Sequence, residues 1–256
     1  MAAFGSGAII GALGGLIGLG GAEFRLPVLV SYFRFEALQA VILNKAMSLV
    51  VVAAALPFRA QTIPLDLVAM HWAVIVNLLA GSLLGAWFGA GWATRLKSEA
   101  LYRIIAVLLV GIALVLLFGH DTNETSRLAF TGTTQLVLGV VAGFGIGVVA
   151  SLLGVAGGEL LIPTLVLLFG TDVKLAGSLS LAVSLPTMLI GFARYSRDES
   201  FKVLKQNSRF VWIMALGSLV GAFIGGQLLG IVPTGLLLPF LSIILLVSAV
   251  KMWRHG

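Results

Sequence analysis

Four ionisable side chains, Glu23, Arg25, Lys45 and Glu159, stand within stretches otherwise apolar enough for a membrane interior. Charges in hydrocarbon are costly and are retained for a partner or a function. Arg25 and Lys45 can hold a small anion through charge-assisted hydrogen bonds. The neighbouring Gly20, Gly21, Gly157 and Gly158 can offer the same anion bare backbone N–H groups at helix N-termini. The structural alternative is that Arg25 pairs with a glutamate and Lys45 snorkels to an interface.

Glu23 and Glu159 occupy matching positions, so either proton coupling or capping of the following half-helix is expected of both. Asn44, matched by Ser180, can bind anion oxygens, as can Ser178, Ser184 and Thr187 on the same segment as Ser180. Each of these can equally bond the preceding helical turn or a neighbouring helix. His71 and Asn77, near the start of the third segment, read as interfacial or packing residues, and His120 and His255 lack the neighbours of a metal site. There is no Ser–His pair, paired aspartate or His-x-x-x-His within the membrane segments, and no phosphate-binding loop. An enzyme is therefore not expected, and neither a metal nor a cofactor.

These residues sit in a unit written twice. At a single offset of 136 residues, Gly18 to Glu23 with Pro27 matches Gly154 to Glu159 with Pro163, and Ser48 matches Ser184. Gly81 to Ala86 with Gly89 matches Gly217 to Ala222 with Gly225. Each half reads as four apolar segments. They run from Phe4 to Phe33, Ala37 to Leu56, Leu67 to Ala93 and Leu101 to Phe118, then from Thr133 to Phe169, Ala176 to Ala193, Phe210 to Ile231 and Pro233 to Val250. The expected organisation is a first repeat over 1–118, a polar connecting loop over 119–132 and a second repeat over 133–256, forming one transmembrane domain.

Composition dictates the solvent. The chain of 256 residues is 59% hydrophobic and only 10% charged, against roughly 45–50% and about 25% in soluble domains. Segments of about 20 apolar residues span a hydrocarbon core as helices. Alternating ten-residue segments, the mark of a membrane β-barrel, are missing, and the 32 glycines suit close helix packing. The net charge of +6 falls in short clusters at segment ends, as in cytoplasmic loops, so lipid rather than nucleic acid is the expected partner. With no cysteine there are no disulfides or thiolate sites. The stretch from Phe4 has no basic lead or small-residue cleavage site and does not read as a removable signal.

The first segment of each half is too long for one crossing and is interrupted by glycines, Glu and Pro. Because proline disfavours helix before it and suits the first helical position, the sequence predicts unwound backbone over Gly20 to Leu26 and Ala156 to Ile162. Paired interruptions of this kind point to a transporter's binding site. Arg95, Lys97 and Arg103 mark one loop whose repeat-mate, between Ile231 and Leu236, has no charge. Arg194, Arg197, Lys202, Lys205 and Arg209 mark another, whose mate has only Arg59 and Asp66. If positive loops are cytoplasmic, equivalent loops lie on opposite faces and both termini are cytoplasmic. The expected fold is an all-α membrane protein of two inverted repeats. Each has three transmembrane helices and a glycine-broken segment that is a re-entrant hairpin, or in the alternative a discontinuous crossing helix.

The paired blocks Gly18-x-Gly20-Gly21-x-Glu23-x-x-x-Pro27 and Gly154-x-x-Gly157-Gly158-Glu159-x-x-x-Pro163, one opening each half, resemble the TauE/SafE sulfite exporter family over nearly the whole chain. The resemblance implies a permease for sulfite, sulfonates or related sulfur-containing anions in a prokaryotic plasma membrane. A channel built from two re-entrant hairpins is the alternative. Substrate, direction, coupling ion and homo-oligomerisation stay open at this point.

Overall fold

The structure, a computed structural model, describes residues 1–17, 21–60, 64–118, 132–228 and 234–254, and these contain helices and turns but no strand. The first half comprises α1 (Ala2–Ile17), α2 (Ala22–Ser31), α3 (Ala37–Ala60), the short α4 (Leu65–Met70), α5 (Trp72–Ala93) and α6 (Ser98–Phe118). The second comprises α7 (Thr133–Leu153), α8 (Gly158–Phe169), α9 (Val173–Tyr195), the short α10 (Lys202–Gln206), α11 (Ser208–Leu228) and α12 (Thr234–Trp253). Among the described residues α3, α5, α7, α9 and α11 contain stretches long and apolar enough to cross a membrane. Their outward faces carry exposed Leu84, Phe88, Val141, Phe223 and Ile224, apolar side chains that lipid rather than water would solvate.

Lipid offers no hydrophobic drive between helices, so close backbone contact must hold them together. Glycine stripes provide it. On α5, a Cβ at Gly81 would overlap the Val140 carbonyl, one at Gly85 the Phe144 carbonyl, and one at Gly89 would lie 2.9 Å from Val148 Cα. The numbers rise together, so α5 and α7 run parallel. The same holds for α1 and α11, where Gly7, Gly11 and Gly15 face Met214, Ser218 and Ala222. Thus the first helix of each half packs on the Gly-x-x-x-Gly helix of the other, while α3 packs on α9 and α6 on α12.

The glycine breaks repeat in detail. Gly21, at φ 69°, lies against Ile10 and Gly14 of α1; Gly157, at φ 82°, lies against Ile146 and Ala150 of α7, the residues 136 positions further on. Both backbones are in the left-handed region, which glycine adopts without steric cost. After its break α8 runs back along α7, and Gln135 Nε2 donates to Leu168 O at 2.6 Å, joining the end of α8 to the start of α7.

One expectation needs correction. The backbone is not unwound as far as Leu26 and Ile162: helix resumes at Ala22 and at Gly158, so Glu23, Arg25, Glu159 and Leu161 lie in first turns. Pro27 and Pro163 are each the sixth residue of their helix rather than the first. A proline there lacks the N–H that would bond four residues back, which leaves the Glu23 and Glu159 carbonyls without their helical donor. The left-handed glycine, not the proline, sets where the helix starts. The third apolar segment ran α4 and α5 together, nothing in the sequence marked α10, and segment ends differ from helix ends by up to four residues in either direction.

Candidate functional site: two helix breaks around a buried arginine

Asn44 on α3 ties the two breaks together. Its Nδ2 donates to Ala22 O, at the start of α2, at 2.9 Å and to Leu153 O, at the end of α7, at 3.0 Å. Its Oδ1 accepts from Arg25 Nη1 at 3.2 Å, and Ser48, one helical turn along on the same face of α3, accepts from the same Nη1 at 3.2 Å. Arg25 is wholly buried, yet its Nε and Nη2 have no hydrogen-bond partner among the described residues. A buried guanidinium with idle donors is an unusual cost, since unmade hydrogen bonds to charged groups are expensive. An incoming anion would satisfy them.

Lys45, one position further round α3, is also fully buried and does not snorkel. Its Nζ donates to Ala150 O at 3.3 Å, in the last turn of α7, where carbonyls and helix dipole favour a cation. Gly191 of α9 makes room for it, because a Cβ there would stand 2.8 Å from Lys45 Cε and 2.9 Å from Ser151 Oγ. Ser151 Oγ donates to Ala86 O at 3.0 Å, and Tyr195 Oη donates to Ser151 O at 2.9 Å. Arg25 and Lys45 therefore flank Asn44 with different neighbours. One has spare donors, and the other is placed at the end of α7.

Glu23 and Glu159 are both buried in the first turns of α2 and α8, close enough for their charges to interact, with Arg25 also within electrostatic reach of Glu23. Neither forms an ion pair, and neither oxygen of Glu23 nor Oε2 of Glu159 has a hydrogen-bond partner of good geometry among the described residues. Gly21 and Gly157, the N-cap positions, carry no side-chain cap bond. Gly21 and Gly157 precede the first turns of α2 and α8, and Gly158 opens α8; Gly20 lies outside the described residues, as do His120 and His255.

The second half supplies no cation at the matching places. Leu161 and Leu181 stand where Arg25 and Lys45 stand in the first half. Ser180 Oγ donates to Gly177 O at 2.9 Å, within its own helix, and Thr187 bonds both Val183 O and Ser82 Oγ. The buried hydroxyls of Ser178 and Ser184 have no partner among the described residues. Asn77 Nδ2 donates to Leu136 O, a packing contact, and His71 Nδ1 faces Leu67 O at the exposed start of α5. Sequence reasoning missed Ser151 and Tyr195, which no motif marks. The partnership of Ser48 with Arg25 had a signal in its spacing of four from Asn44.

Comparison with known proteins decides the class. The family model described as sulfite exporter TauE/SafE matches residues 3–252. The chain belongs to the TauE/SafE sulfite exporter family. Comparison with curated proteins and with solved structures gave no significant match. Members of this family are membrane permeases that export sulfite and related sulfur-containing anions, which agrees with a transporter rather than an enzyme and with the membrane-crossing helices above. The matched region includes both helix breaks and all of α3 and α9.

Proposed function

We propose that this chain is a secondary transporter that moves sulfite or a small organosulfonate across the plasma membrane, with Arg25 as its principal anion ligand. The observation that carries the reading is the buried Arg25 guanidinium, whose Nε and Nη2 have no partner among the described residues, held by Asn44 beside both helix breaks. An anion that has lost its water needs charge-assisted donors, which Arg25 and the N-termini of α2 and α8 provide. The hydroxyls of Ser178, Ser184 and Ser180 are candidates for its remaining oxygens, and Lys45 adds positive charge near the site while holding the end of α7.

The two halves are proposed to be inverted repeats, each a re-entrant hairpin and three crossings. In support, α8 returns to the start of α7, and the equivalent helices α6 and α12 run antiparallel, with Ser242 against Ala113 and Trp253 against Arg103. The basic residues Arg95, Lys97, Arg197, Lys202 and Lys205 then fall on the side where α5 and α9 end, the cytoplasmic side by the charge rule, together with both termini. The crossings per half are odd in number, so Leu96 and Thr234 occupy opposite faces. Single cysteines at these positions should react with an impermeant maleimide from opposite sides of the membrane; labelling of both from one side would refute the inversion.

Glu23 and Glu159 are proposed to couple flux to protons. Two carboxyls facing each other in a dry site repel when both are charged, and taking up a proton as the site changes access relieves that repulsion. In proteoliposomes, sulfite flux should saturate with concentration and follow an imposed proton gradient. Flux that rises without saturation and ignores the gradient would indicate a channel instead, and no sulfite or sulfonate flux at all would remove the proposal.

A further inference from the structure

At the end where α5 and α9 finish, a groove of about 630 Å³ opens on the outer surface between α5 and α7. Its apolar wall is formed by Phe88, Trp92, Phe144 and Val148. Phe88, Trp92 and Phe144 are exposed, and the Phe88 and Phe144 rings stand 6.4 Å apart. Its far end is basic. Arg194 and Arg197 both lie over the Trp87 ring, at 5.6 Å and 4.9 Å from its centroid, and Arg95 joins the lining. Gly91 lets this happen, because the Arg194 guanidinium lies where a Cβ would be, with Nε 3.1 Å and Nη2 3.2 Å away.

None of these three arginines has a carboxylate partner among the described residues. Of the acids that follow Arg197, Asp198 accepts from Ser200 N at 2.9 Å and Glu199 pairs with Lys202 at 3.7 Å. Arginine stacked on tryptophan keeps its planar donors aimed outward, and this is the geometry that grips phosphate. Basic clusters beside membrane helices attract anionic headgroups. A water-borne anion would use only the basic end, whereas a lipid uses both ends.

We infer that this groove is a binding site for an anionic phospholipid, with the headgroup phosphate on Arg95, Arg194 and Arg197 and an acyl chain along Phe88, Trp92 and Phe144. It lies on the outside of the helix bundle and does not depend on the substrate assigned above. Because α5 and α9 both end at it and α7 lines it, the bound lipid would clamp helices from both halves.

The test is native mass spectrometry of the delipidated full chain, titrated with phosphatidylglycerol or phosphatidylcholine. Wild type should retain phosphatidylglycerol at least tenfold better, and Arg194→Gln/Arg197→Gln should abolish the preference while melting normally in phosphatidylcholine. Equal retention of the two lipids by wild type, or an unchanged preference in the double variant, overturns the inference. Complete displacement of the lipid by millimolar inorganic phosphate also overturns it, since the site would then hold a free anion. Should the double variant fail to fold, the exposed Arg95→Gln substitutes for it, and an unaltered lipid preference there overturns the inference.

Discussion

The two helix breaks share a backbone and differ in chemistry. Gly21 and Gly157 take the same left-handed turn against matching residues of α1 and α7, each followed by a first-turn glutamate and a proline at the sixth helical position. Beyond that the likeness ends. The first break carries Arg25, Asn44 and Ser48 in one hydrogen-bonded group, while the second has Leu161, Ser180 and Ser184, with Ser180 bonded within its own helix and Ser184 without a partner among the described residues. What both halves keep is what two half-helices need in order to end at one place. What only one half has is the buried cationic pair Arg25 and Lys45, which in the proposed reading serves a single small anion.

The largest expected effect breaks the shared part. Gly21→Leu and Gly157→Leu both force a side chain into the left-handed region, at about 1–2 kcal/mol for the backbone alone, and should abolish flux. The two breaks are not equally tolerant. A Cβ at Gly21 overlaps the Ile10 carbonyl, whereas one at Gly157 meets the Ile146 Cγ2 and Ala150 Cβ atoms at 3.1 and 3.3 Å. Gly21→Ala should therefore lower the melting temperature more than Gly157→Ala, and Gly111→Ala, mid-helix with open space around it, should not lower it. The reverse order in a thermal-melt series would show that the breaks are placed differently.

Next comes the unequal part. Asn44→Ser copies the second half's residue into the first and removes the bonds to Ala22 O and Leu153 O. Ala22 O keeps its helical bond within α2, but the buried Leu153 O at the end of α7 loses its donor at a cost of about 1–3 kcal/mol, so detergent-solubilised protein should unfold several degrees earlier. Ser180→Ala removes only a bond within its own helix and should cost less than about 1 kcal/mol. Similar losses from both would mean that the halves are held together symmetrically.

A smaller and more specific effect is expected at the glutamates. Glu23→Gln and Glu159→Gln each remove one of two facing carboxyls while keeping its shape. Each variant should still bind sulfite but lose the response of flux to an imposed proton gradient. Undiminished coupling in both variants would leave the glutamates as parts of the helix starts only.

The sequence made the breaks legible because a glycine, Glu and Pro recur at one offset, Gly21, Glu23 and Pro27 against Gly157, Glu159 and Pro163, and glycine's conformational freedom is a local property. It misplaced the helix starts because the prolines read as first helical residues, when the chain places them sixth and leaves the Glu23 and Glu159 carbonyls without their helical donors. The stripes Gly81, Gly85, Gly89 and Gly217, Gly221, Gly225 announced close packing, but not that each would meet the first helix of the other half. Choice of partner depends on the whole assembly. For the same reason Arg25 and Lys45 looked alike in sequence, and only the fold separates a guanidinium with spare donors from an ammonium at the end of α7.

The most direct test of the anion site is sulfite binding by purified wild-type protein and Arg25→Gln, measured by isothermal titration after both are confirmed folded by near-ultraviolet circular dichroism. Losing a charge-assisted partner costs about 2 kcal/mol, roughly thirtyfold in affinity, so the variant should bind sulfite at least that much more weakly than wild type, with Lys45→Met weakened less. Equal sulfite affinity in folded Arg25→Gln and wild type would contradict the account.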